Sequence, residues 1–409
     1  MLIASKAQAH ITPKEAAFGD EGIAVVRGYH EVVAEQSEDP QDPQNLVIDS
    51  DLVVSREVES KTFRTIREAQ IALEGLANTL AVSPEIQTNR EVMEQKLAAL
   101  IMDARIRQGE RFSFRERLVT SMQLSPLWVP NERLTNLKHA INAALPEGME
   151  YRREDKEAYE QTFVLKTAPE VEQAVRAGMD ASKIALSQFF EPQAEAVEPE
   201  IKEFEGNWSG YVATEDGKIV LKVNTNPDYK YTFGECVTLA GHEYAGHVEQ
   251  LVQLQQAIER GEANPLLGLT SVYTPDAALF ETVGQLAGSR LVIDESVPIT
   301  RVQMLIDRLK TSVYNNMSYL ANIRHEDDAA VADYAAKLLP FEDKDALRSR
   351  AEERRVAHYA PYLMCYEYGM RAVDAVLEKS SDMQRAIVPK LYKPITKQQQ
   401  DAILATYAS

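Results

Sequence analysis

The sequence predicts a mainly α-helical fold with a small β-hairpin or sheet placed directly before one long helix. Three observations predict it. Apolar residues recur at steps of three and four through most of residues 55–190, as one face of a helix requires. One β-rich stretch, Asn207–Asn224, turns on an Asp-Gly pair, Asp216-Gly217. Cys236 to Ile258 then runs without proline and carries Gly241-His242-Glu243-Tyr244-Ala245-Gly246-His247 at its centre.

Taken in order, residues 1–54 read as an N-terminal extension, partly irregular. Gly22–Arg27 is strand-like or a short helix start, and Ser37–Gln44 is a polar loop broken by Pro40 and Pro43. His10 and His30 are isolated here and read as solvated. Residues 55–190 form a helical scaffold. Phe63, Ile66, Ala69, Leu73, Leu76 and Leu80 mark the first helix. Thr88 or Asn89 opens the second, and Gly109 stops it. Phe114–Met122, Pro130–Ala144 and two helices within Lys156–Phe190 follow. Glu191–Glu205, acidic and proline-containing, reads as a linker.

Residues 205–409 bear the site and are expected to pack as one unit with 55–190. Asn207–Ala213 and Lys218–Asn224 form the hairpin, with Ile219–Asn224 as the edge strand. Asn226-Pro227-Asp228 turns the chain into the long helix and Gly261 ends it. Another helix around Glu281, then Val302–Tyr319, Asp327–Leu338 and a last one to Tyr407, complete the chain.

Composition narrows the function classes. The 409 residues are 44% hydrophobic, enough for a large core. The net charge of −19 makes nucleic acid or an anionic membrane an unsuitable partner for the surface as a whole. Two cysteines, Cys236 and Cys365, give no disulfide framework. There is no leader-like apolar segment and no run of about eighteen apolar residues, so the expectation is a cytoplasmic protein.

The long helix carries the chemistry. In H-E-x-x-H two histidines four apart share a helix face and bind zinc, with the glutamate as general base. Here His242 and His247 are five apart. Five residues at about 100° each leave roughly 140° between them on a regular α-helix. A π-turn, with its i→i+5 bond, returns both to one face, and Gly246 tolerates the distortion. We therefore expect a π-bulge or break at Ala245–Gly246. Three readings compete: His242 and His247 bind zinc while Glu243 activates water; a regular helix lets Glu243 and His247 ligate; or no metal binds. A catalytic zinc takes three protein ligands and leaves one position open. Glu281, in an apolar, small-residue helix, is the candidate third, against a salt bridge to Arg290 or exposure at the helix start.

These residues resemble two families. H-E-x-x-x-H followed one helix later by a glutamate is similar to the tyrosine-carboxypeptidase-like family, whose second motif is Glu-Gly-Leu-Ala; the matching stretch here is Glu281-Thr282-Val283-Gly284-Gln285-Leu286-Ala287. A bacterial metallopeptidase-like family carries H-E-x-x-P-G-H-x-x-Q, Phe-x-Glu-Gly-Trp-Ala and a late Arg-Tyr, Pro, Tyr-x-x-Gly segment. The counterparts are Gly246-His247-Val248-Glu249-Gln250, Phe280-Glu281, and Arg355, Pro361 and Tyr366–Gly369, with Ala245 in place of that family's proline. The resemblance spans about Trp208 to the C-terminus. It implies a helical, gluzincin-like zinc-peptidase fold and a zinc-dependent hydrolase, carboxypeptidase-like, acting on a peptide or protein C-terminus.

Amide hydrolysis also needs oxyanion donors, and a carboxypeptidase needs a cation for the terminal carboxylate. Tyr366 and His358 are the expected donors, with Arg355 and Tyr359 binding substrate. Two other readings stand beside this one: a non-catalytic helical binding or scaffold protein with a decayed metal site, and a metal hydrolase of non-peptide amides or esters.

Overall fold

The computed structural model describes residues 10–37, 46–194, 197–203, 209–215, 217–226, 230–288 and 298–406. The fold is mainly helical, with one two-stranded and one three-stranded sheet among the described residues. Most of the loop expected at Ser37–Gln44, Asp216 of the hairpin turn, Pro227-Asp228 and Arg290 lie outside them.

The described part of the N-terminal segment contributes to the core. Helix α1 covers Pro13–Gln36, opened by Thr12 and closed into a capping box by Glu15. Of the two readings of Gly22–Arg27 the helical one holds; Gly22 and Gly28, poor helix formers, are there for space. A Cβ on Gly22 would meet the Leu266 side chain at 3.0 Å, and one on Gly28 would sit 1.8 Å from the Lys61 carbonyl oxygen. His30 is not solvated either: its Nδ1 accepts from the backbone N–H of Val47 and Ile48, at 3.3 and 3.2 Å.

Glu15 also accepts from the N–H groups of Gln87 and Thr88, both at 2.9 Å. Desolvation pushes its carboxyl up, but these backbone donors outweigh that and hold it at about 2. A folded-state value below the ordinary 4.5 means that the stabilisation is present above that pH and is lost as pH falls towards 2. Glu15→Gln should therefore cost about 1–3 kcal/mol at pH 7 and roughly half of that near pH 3. Urea melts at both pH values check this; an equal loss at both contradicts it.

Helices α2 (Ile66–Val82), α3 (Arg90–Arg107), α4 (Phe114–Met122), α5 (Asn131–Ala144), α6 (Arg153–Gln161) and α7 (Ala168–Leu186) lie close to the sequence reading. α1, α2 and α3 enclose a core with Leu251, Leu254, Ile258 and Leu266 from the second half of the chain. The supposed linker supplies strand β2 of a three-stranded sheet. Here β1 is Ser50–Asp51, β2 Pro199–Lys202, β3 Gly210–Glu215, β4 Lys218–Asn224 and β5 Leu269–Thr270. The order is β2-β4-β3, with β2 parallel and β3 antiparallel to β4. Ile219–Asn224 is therefore the central strand, and the edges are β2 and β3. β1 pairs with β5.

The remaining helices are α8 (Phe233–Ala240), α9 (Glu249–Glu259), α10 (Pro275–Leu286), α11 (Pro298–Tyr319), α12 (Asp328–Leu338), α13 (Lys344–Glu353), α14 (Cys365–Leu377), α15 (Ser381–Leu391) and α16 (Lys397–Thr406). α10 is wedged between α14 and the segment joining α8 to α9. A partly buried Lys96–Asp276 ion pair fastens its first turn to α3. Cys236 and Cys365 are free and buried. None of the described helices is long and apolar enough to cross a membrane.

Candidate metal centre

The long helix is not regular. α8 begins at the Thr232–Glu235 capping box, and Gly241–Val248 then form π-turns before α9 resumes the α geometry. The widened turns answer the five-residue spacing: His242 and His247 share a face, with their Nε2 atoms 3.1 Å apart.

Glycines bring the third residue close. A Cβ on Gly246 would lie 2.6 Å from the Gly284 Cα, so the π-segment and α10 touch backbone to backbone. Gly284 abuts the His242 ring, and Glu281, three residues earlier, shares its helix face. Glu281 Oε2 lies 3.5 Å from His242 Nε2, and Oε1 4.0 Å from His247 Nε2. The three are the one set among the described residues whose His, Cys, Asp or Glu atoms converge closely enough for a metal.

Two features test the fit of a cation. Bonds of 2.0–2.1 Å in tetrahedral geometry place ligand atoms ~3.3 Å apart, and the three observed separations bracket that value. Glu281 Oε2 is also fully buried without a hydrogen bond. A buried carboxylate oxygen facing two imidazole nitrogens is the donor set of a zinc site.

Titration behaviour follows from burial. Desolvation brings His242 down to about 4 and His247 well below its ordinary value, so both rings are neutral and can ligate. Desolvation, with a smaller contribution from the Glu281 charge, pushes the Glu243 carboxyl up to about 8. Desolvation also raises Glu281 to about 7, against hydrogen bonding from Tyr362 and Tyr366. Glu243 is buried, and no described residue engages it in a hydrogen bond or ion pair.

The late segment divides. Tyr366 and Tyr359 border a cleft of about 540 Å³ that also exposes His242. The Tyr366 hydroxyl is 2.6 Å from that of Tyr362, which donates to Glu281 Oε1 at 2.6 Å. The sequence reading missed Tyr362; its spacing of four from Tyr366 on one face was the available signal. Arg355 is not at the cleft. Its exposed guanidinium pairs with Asp328 and caps the carbonyls of Ala321 and Glu326 beyond the far end of α11. The arginines that do border the cleft are its neighbour Arg354, 3% exposed, and Arg350 one turn earlier. His358 packs edge-on against Tyr273, with ring centroids 5.4 Å apart, and is not among the residues bordering the cleft.

No protein-family model and no curated protein matches this sequence. Among solved structures, the chain is similar to a putative lipoprotein from Colwellia psychrerythraea, with a TM-score of 0.56 and 13% identity over 98% of this chain and 77% of that one. A putative lipoprotein of unknown function from Shewanella oneidensis aligns more loosely, with a TM-score of 0.48 and 12% identity over 95% and 83% of the two chains. The first likeness is one of fold alone, and the second is too distant to carry an argument.

Proposed function

We propose that this chain is a zinc-dependent peptide hydrolase, carboxypeptidase-like, with His242, His247 and Glu281 as the ligands. The observation that carries the proposal is the convergence of these three side chains across a π-widened helix. When bound, zinc supplies a Lewis acid and a water whose pKa falls towards neutrality.

The protein's own residues would do the rest. Glu243 accepts a proton from the attacking water and returns it to the leaving amine. Its carboxyl, raised by burial, is brought back towards the ionised form by a neighbouring dication, as a base at neutral pH requires. The Tyr366 hydroxyl, at the cleft that exposes His242, is a candidate donor to a developing oxyanion. Tyr362 fixes the Glu281 carboxylate from behind. The intact ligand set supports a hydrolase over a scaffold with a decayed site.

The test joins metal analysis to peptide profiling. The purified chain should carry about one zinc, and cleavage of a peptide mixture from its C-termini should stop on chelation and return with zinc. A zinc-loaded protein that cleaves no peptide but hydrolyses small amides or esters overturns the peptide assignment.

A further inference from the structure

The cleft has a second end with its own chemistry. On α11, the Tyr314 ring carries two guanidinium groups, those of Arg350 and Arg354, each 5.1 Å from its centroid. Buried Arg354 uses Nε and Nη1 to donate to the carbonyls of Tyr314 and Arg350, at 3.1 and 2.7 Å, and these bonds leave Nη2 over. The hydroxyls of Tyr314 and Tyr359 are buried without a hydrogen-bond partner. All four side chains border the cleft. A buried hydroxyl left unpaired costs about 1–3 kcal/mol, so two at one cavity wall point to a ligand that accepts from both.

We propose that this end is a carboxylate subsite formed by Arg350, Arg354 and the Tyr314 and Tyr359 hydroxyls. It takes the free C-terminal carboxylate of a peptide whose last amide bond lies at the metal triangle. The assignment rests on the peptidase reading for its choice of a peptide. Tyr359 joins the two ends: its ring is 5.4 Å from that of Tyr362, the residue bonded to Glu281. Glu353, 3.7 Å from Arg354, also borders the cleft, and with Glu235 and Asp307 it offsets three of the four positive charges there, those of Lys230, Lys310, Arg350 and Arg354. The remaining balance suits a monoanion rather than a phosphate dianion. A planar guanidinium and two hydroxyls match the two oxygens of a carboxylate. The cleft volume, about 540 Å³, is that of a small-ligand site and suits a chain end.

The experiment is calorimetric titration of the metal-free full chain with an N-acetylated dipeptide, as the free acid and as its C-terminal amide. Removing the metal prevents the carboxylate from binding there instead. The acid should bind about tenfold more tightly than the amide, and the preference should fall to about threefold or less in Arg350→Gln and in Tyr314→Phe. Arg350 is exposed at the cleft edge and Tyr314→Phe removes one atom, so both variants should melt as the parent does. Equal binding of acid and amide, no binding of either at millimolar concentration, or an unchanged preference in both variants overturns the subsite. Inorganic phosphate competing as strongly as the acid would put a free anion here and overturn the peptide assignment. No turnover is measured, so a chain that shows the preference but cleaves nothing keeps the subsite and loses the hydrolase.

Discussion

Glu243→Gln is expected to keep its zinc and its melting temperature while kcat falls by about 10²–10⁴-fold. The substitution preserves size and removes only the ability to take a proton. Glu243 is not one of the three converging ligands, so metal content should not change. Its burial and the nearby Glu281 already disfavour its charged form, so a neutral amide there costs the fold little. The check is a triple measurement on one preparation: zinc per chain, thermal melt, and kcat on the best peptide found. A variant with full zinc and undiminished kcat removes Glu243 from the reaction. A variant that loses zinc instead makes Glu243 itself a ligand and removes it from the role of base.

Gly284→Ala should lower zinc affinity by about 10–100-fold without touching a ligand. An added Cβ would lie 2.7 Å from His242 Cε1 and 2.9 Å from Nε2, closer than such atoms approach. The ring sits between α10 and its own π-segment, and must turn away from His247 or push the helices apart. Overpacking of this kind costs about 1–3 kcal/mol and outweighs the roughly 1 kcal/mol that alanine gains over glycine inside a helix. Gly75→Ala is the control: nothing lies within 4 Å of its added Cβ, so it should be neutral or slightly stabilising with zinc unchanged. A metal titration with a chromophoric competitor reads both. Unaltered zinc affinity in Gly284→Ala would show that the His242 ring is not held by that contact.

The geometry that brings the three candidate ligands together was legible because it is written in spacing. Two histidines five apart, with glycine next to the second, demand a π-turn if they are to meet, and Gly241–Val248 form π-turns. Glu281 was legible as a costly charge in an apolar helix, and it is buried opposite both rings. The start and stop of α3, at Asn89 and Gly109, were also readable.

What escaped depended on tertiary approach. The glycines of α1 made it look irregular, although they admit Leu266 and the Lys61 carbonyl. The acidic linker pairs as β2 because β4 presents a parallel edge to it, which no local pattern announces. Arg354 and Arg355 are adjacent in sequence and cannot be told apart by type. The turn after α13 sends the first into the cleft and the second out to Asp328.

The central claim is that His242, His247 and Glu281 hold one zinc together. X-ray absorption at the zinc edge, with zinc counted per chain in the parent and in His247→Ala, tests it most directly. The account predicts about one zinc per parent chain, with a spectrum of two imidazoles and oxygen, and a clear loss of that zinc in the variant. A parent that binds no zinc after supplementation, or one whose spectrum and content are unchanged by His247→Ala, would contradict it.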